Sequence, residues 1–139
     1  MIVQVARETA AVDTLRQRLA PVLDAVAMVV FVAIGRDQHS LESTGLTWYL
    51  TVLWPLALGW AVGAIATRLY TRADRPWVRL IATIAIGVFL DAILRAAFTD
   101  RPWFSVFTVV AFCFLSLVTF GWRLVWVSVA RLRGTAPAR

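Results

Sequence analysis

Asp24, Asp91, Arg95 and Arg123 each interrupt a long apolar run, and Arg36 and His39 stand at and just beyond the end of the first one. Ionisable groups inside apolar segments are costly, so where they occur they pair with one another or line a polar path. Asp91 and Arg95 are four residues apart and share one helix face. Asp37, His39 and Glu42 are donor types that bind divalent metals. They lie on one short polar stretch, which reads as a solvated loop, and no metal site is expected there. His39 is the only histidine and Cys113 the only cysteine. Two histidines cannot therefore ligate a haem within one chain, and no CxxC redox pair or zinc cluster exists. No Gly-rich phosphate loop, HExxH or GxSxG is present either. The residues offer no catalytic set and no cofactor site.

The elements that carry these groups are apolar to an extent that decides the class. The chain has 139 residues, 60% of them hydrophobic and 16% charged, with a mean hydropathy of +0.76. Ordinary soluble domains are about 45–50% apolar and about 25% charged. A chain this short has too little interior to hide such a surplus from water. A water-soluble globule, a disordered chain and a disulfide scaffold are excluded. The net charge is +6, all basic residues are arginine, and the pI is near 11.2. A basic balance raises nucleic acid as a partner, but these arginines cluster at the ends of apolar runs, so a bilayer is the expected partner instead.

A bilayer core needs roughly 20 apolar residues of helix. Four runs qualify, at about 20–36, 46–67, 77–98 and 103–127. They show no period-2 alternation, and in lipid each must satisfy its own backbone, so helices follow. The expected fold is all-α: a four-helix transmembrane bundle whose short connections make sequential helices antiparallel neighbours. The first run, with Asp24 inside it and no A-x-A after it, reads as a retained span rather than a cleaved signal peptide. Pro21, Pro76 and Pro102 sit at or before expected helix starts, and Pro55 lies inside the second run. Residues 1–19 read as an amphipathic lead-in on the membrane surface, with a frayed tail as the alternative. Residues 128–139 form a second tail.

Arginine placement sets the expected orientation. Arg7, Arg16, Arg18, Arg68, Arg72, Arg75, Arg79, Arg131, Arg133 and Arg139 fall on one side, against Arg36, Arg95 and Arg101 on the other. The N-terminus and C-terminus are both expected in the cytoplasm, in a multi-pass plasma-membrane protein whose inner face meets anionic head groups. Trp48 and Trp103 mark one interface, and Trp77, Trp122 and Trp126 the other.

Depth then pairs the charges. Asp24 lies about one turn into the first span, and Arg123 lies about 30 Å along the fourth from its opposite end. Both reach the inner side, so an Asp24–Arg123 pair is expected; the alternative is Arg123 snorkelling alone to head groups. Asp91 lies about 18 Å along the third span from Arg79. An outer cluster of Asp91, Arg95, Arg36 and His39 is one reading, and a local Asp91–Arg95 pair the other. Gly59 and Gly63 form GxxxG, extended by Thr67, a stripe that lets helices approach closely within the bundle or across a homodimer. Gly35 is a further candidate for helix packing, and Cys113 reads as a small buried hydrophobe.

The order of these signals carries a resemblance. Asp24 is followed by Phe31-Val32-Ala33-Ile34-Gly35-Arg36-Asp37-Gln38-His39, then by Gly59-Trp60 and by Gly121-Trp122-Arg123. This pattern, over roughly residues 20–127, resembles the small prokaryotic membrane proteins grouped as domain of unknown function 3054. The resemblance implies a four-helix membrane protein and no assigned activity. It draws attention to Asp24, Gly35, Arg36, His39 and Arg123.

Function is then read in two ways. A non-enzymatic scaffold or accessory subunit of a membrane assembly would use its Asp–Arg pairs to specify packing. An oligomeric small-solute or ion transporter would line a path with them. An intramembrane enzyme is the remote alternative.

Overall fold

The computed structural model describes residues 2–37, 45–99, 102 and 104–132, and the side chains of 15, 17–35, 45–98, 102 and 104–132. Four helices account for nearly all of this: α1 (Ile2–Asp37), α2 (Leu46–Thr67), α3 (Pro76–Thr99) and α4 (Val106–Leu132). Each contains a segment long and apolar enough to cross a bilayer: Gln17–Gly35, Leu46–Thr67, Pro76–Phe98 and Val106–Leu132. The helices form a ring in which α1 touches α2 and α4, and α3 touches α2 and α4. Consecutive helices run antiparallel, so the start of the first span, the α2–α3 connection and the end of α4 share one end of the bundle, here called the termini end.

Helix boundaries follow local chemistry. α1 is continuous through Pro21, so the lead-in is not a separate element and Pro21 does not open a helix as expected. Proline at 21 leaves the Gln17 carbonyl without its helical donor. Gln17 and Pro21 are both exposed at the span's edge, where water can solvate that carbonyl. α3 opens on Pro76, whose missing N–H falls where the first turn has no acceptor for it. α4 begins at Val106 instead of Trp103, with the Ser105 carbonyl accepting from the Thr108 and Val109 N–H groups. α2 ends in a Schellman closure: the Leu69 N–H donates to the Ala64 carbonyl and the Arg68 N–H to that of Ile65, with Arg68 left-handed at φ 55.

α2 and α3 make the tightest pair. A Cβ added at Gly59 would collide with the Gly87 carbonyl oxygen, and one at Gly63 would come to 2.8 Å from that of Thr83. Gly59, Gly63 and Thr67 on α2 thus face Thr83, Gly87 and Asp91 on α3, two ridges of fourfold spacing in antiparallel register. Thr67 Oγ1 and Thr83 Oγ1 close the ladder at 2.6 Å. The GxxxG stripe is therefore spent inside the bundle, against a partner helix of the same chain. Gly35 does not pack as expected against the described residues, none of which a Cβ there would meet within 4 Å. At such a position the missing side chain admits no neighbouring backbone.

The distribution of polarity is inverted relative to a water-soluble bundle. Asp24, Thr83, Asp91, Thr119 and Arg123 are buried, while Ile65, Phe89, Leu117 and Val125 are more than half exposed on the outer faces. The same interior holds Leu56, Leu80, Ile84 and Leu115, none more than 1% exposed. Cys113 points outward from α4 rather than into the core, correcting its expected burial. An outward small apolar side chain is at no disadvantage where lipid replaces water. The fold is an all-helical, multi-pass membrane protein.

Candidate functional site

Asp24 occupies the inward face of α1, and its carboxylate takes four donors. Arg123 on α4 approaches as a fork, Nη1 to Oδ1 at 2.8 Å and Nη2 to Oδ2 at 2.7 Å. Trp122 Nε1 donates to Oδ1 at 3.0 Å, and the Tyr70 hydroxyl to Oδ2 at 2.8 Å. Each carboxylate oxygen therefore holds two donors, one of them from a guanidinium, the geometry in which charge-assisted bonds are strongest. Arg123 Nη1 also donates to the Thr119 carbonyl at 3.1 Å, and its Cζ lies 4.2 Å from the Trp122 ring centroid. Asp24 is 1% and Arg123 6% exposed. The expected pair is formed, and Arg123 does not snorkel alone.

Tyr70 extends the site to α2. It sits just past the Schellman turn, and its oxygen accepts from Trp60 Nε1 at 2.9 Å while donating to Asp24. Burial and then the Asp24 charge hold its hydroxyl far above the usual tyrosine range, so it stays a neutral donor. A chain of donors thus runs from Trp60 through Tyr70 to Asp24, joining α2 to the α1–α4 pair. Sequence reasoning missed Tyr70: two residues beyond Arg68 in the polar connection, it reads as one more interfacial aromatic.

The second ion pair lies toward the far end. Arg95 Nε donates to Asp91 Oδ1 at 2.9 Å and to Oδ2 at 3.1 Å, and Arg95 Nη2 donates to the Val52 carbonyl at 2.6 Å. That carbonyl is the neighbour of the Thr51 carbonyl, which Pro55 deprives of its helical donor, and the bond ties α3 to the α2 backbone there. The Arg95 Cζ stands 4.0 Å from the Phe107 ring centroid, and Phe107 packs on Phe31 at 5.3 Å between centroids. One arginine thereby touches α3, α2 and α4, and through Phe107 reaches α1. Of the expected outer cluster, the structure gives the Asp91–Arg95 pair. The Arg36 side chain and the whole of His39 lie outside the described residues, as do Gln38 and Glu42.

Among the described residues no buried side-chain nitrogen or oxygen lacks a hydrogen-bond partner. Both carboxylates within the spans are held by donors of the same chain. What this arrangement does chemically is fix helices to one another at two depths.

A family model described as "Protein of unknown function (DUF3054)" matches residues 21–126. The chain belongs to this family. The DUF3054 match takes in every residue of both ion-pair sites, including Tyr70, and leaves out the lead-in and the basic tail. Neither a curated protein nor a solved structure matches the chain.

Proposed function

We propose that this DUF3054 protein is a non-enzymatic structural subunit of the plasma membrane, with both termini in the cytoplasm, that serves as a scaffold or accessory component of a membrane assembly. The observation that carries the reading is that both intramembrane carboxylates are bound by donors of their own chain, Asp24 by four and Asp91 by the Arg95 guanidinium. A transporter needs such charges free to meet a solute or proton along a continuous path; a structural subunit needs them committed. With the GxxxG stripe occupied by α3, a partner subunit would meet the outer apolar flanks.

The test compares Asp24→Asn, Arg123→Gln and the double variant. Removing one partner of a buried pair costs about 3–5 kcal/mol, so each single variant should lose folded yield in detergent and the double should regain part of it. Variants that fold as well as the parent but abolish a solute flux into proteoliposomes would overturn the structural reading in favour of transport.

Orientation rests on the arginine excess of the termini end and has its own measurement. In a Cys113→Ser background, a membrane-impermeant maleimide applied to intact cells should label Ser40→Cys, and should label Ala73→Cys only after permeabilisation. The opposite pattern inverts the topology.

A further inference from the structure

The α2–α3 connection carries a feature that neither ion-pair site uses. Residues 68–75 read RLYTRADR, three arginines and one acid. The acid is spent: Asp74 Oδ2 accepts from Arg79 Nη2 at 2.6 Å, a bond that holds the Asp74 carboxyl below its usual range. Arg79 Nε also donates to the Asp74 carbonyl at 2.8 Å, and Nη1 to the Thr67 carbonyl, so one guanidinium ties the connection to the end of α2. The backbone is closed as well. The Arg72 N–H donates to the Arg68 carbonyl and the Arg79 N–H to that of Arg75, each at 3.1 Å. Arg68 and Arg75 adopt left-handed φ of 55 and 50, a conformation for which glycine is the usual residue. The result is a built turn with Arg68, Arg72 and Arg75 all exposed, and its single carboxylate is already committed to Arg79. The turn is bracketed by spans ending at Thr67 and starting at Pro76. Its guanidiniums accordingly lie at head-group depth.

We propose that Arg68, Arg72 and Arg75 form a docking site for the phosphate of an anionic phospholipid in the leaflet bordering this end of the bundle. Guanidinium binds phosphate through paired N–H donors with fixed fork geometry. A turn already closed by backbone bonds and by Arg79 loses little freedom on binding. Arg18 on α1 and Arg131 on α4, both exposed at the same end, add to the attractive field. The proposal is independent of whether the bundle is a scaffold or a transporter, since it concerns a surface outside the ion-pair sites.

The experiment uses the full chain in neutral detergent with added phosphatidylglycerol, phosphatidylcholine or inorganic phosphate, read by native mass spectrometry and by the lipid-induced rise in melting temperature. Phosphatidylglycerol should bind and stabilise, and phosphatidylcholine should do so far less. Arg68→Asn/Arg72→Gln/Arg75→Asn, with asparagine chosen at the left-handed positions, should weaken phosphatidylglycerol binding on the order of 100-fold, about fivefold per arginine. Arg72→Gln alone, which touches no left-handed position, should weaken it about fivefold. Equal binding of both lipids overturns the proposal, as does unchanged phosphatidylglycerol binding in a folded triple variant. Inorganic phosphate that competes as strongly as the lipid would assign the site to a free anion and equally overturn it.

Discussion

Asp24 is the residue on which most of the termini end depends, because four donors from α4 and the α2–α3 turn converge on one carboxylate. The donors differ in what their loss leaves behind. Tyr70→Phe removes a bond to a charged acceptor and also strands the Trp60 indole N–H, so it should cost about 1.5–3 kcal/mol. Trp60→Phe leaves Tyr70 on Asp24; it removes a neutral bond worth about 1 kcal/mol and, because Trp60 is 4% exposed in the core, adds the cost of the volume the smaller ring leaves empty. Equilibrium unfolding in mixed micelles should therefore rank the loss in Asp24→Asn above that in Tyr70→Phe, with Tyr70→Phe measurably less stable than the parent. If Tyr70→Phe is silent, the hydroxyl is a bystander and the node reduces to the ion pair. Asp24 and Arg123 were legible in the sequence because charge inside an apolar run must be answered at the same depth. Tyr70 was not, because it stands in a polar connection where depth carries no information, and only the closure at Arg68 returns it to the bundle.

At the scale of the helix, three glycines with the same chemistry have different neighbours. The α2–α3 seam leaves no room at Gly59, where an added methyl meets the Gly87 carbonyl oxygen. It leaves little at Gly63, where the Thr83 oxygen lies at 2.8 Å, and none of these atoms is the free end of a side chain. Gly35 has open space around it among the described residues. Gly59→Ala and Gly63→Ala should each destabilise the fold by about 1–3 kcal/mol through overpacking. Gly35→Ala should be neutral or stabilise by up to about 1 kcal/mol through helix propensity. Thermal unfolding of the three variants checks the order, and a loss at Gly35 equal to that at Gly59 would show that the seam is not the special contact. The sequence left the GxxxG stripe undecided between bundle and homodimer, because both bury the same face. The complementary ridge of Thr83, Gly87 and Asp91 was present at the same fourfold spacing, and it is the register of the two ridges that settles the choice. Hydropathy located both ends of α2 and, to within a residue, those of α3; it missed the start of α4, set by the Ser105 carbonyl, and the start of α1, which continues upstream through Pro21.

For the whole molecule, the contrast is between a hairpin joined backbone to backbone and two outer helices joined by side chains. α2 and α3 meet along the glycine seam. α4 is fastened to α3 at the termini end by Trp77 stacked on Phe120, 5.4 Å between centroids and 8° from parallel, and near the far end by Arg95 over Phe107. α1 is fastened by Asp24 at one end and by Phe31 against Phe107 and Phe114 nearer the other. Loss of the Asp24 node should therefore release one end of one helix, not the bundle. With paired spin labels at exposed sites, the Val22–Val125 distance should widen and broaden in the folded fraction of Asp24→Asn. The Val30–Val110 and Leu58–Phe89 distances should stay at their parent values, because the aromatic contacts and the glycine seam are untouched. A uniform widening of all three pairs would mean that the four helices act as a single cooperative unit, and that the carboxylate holds the entire ring together rather than its first helix.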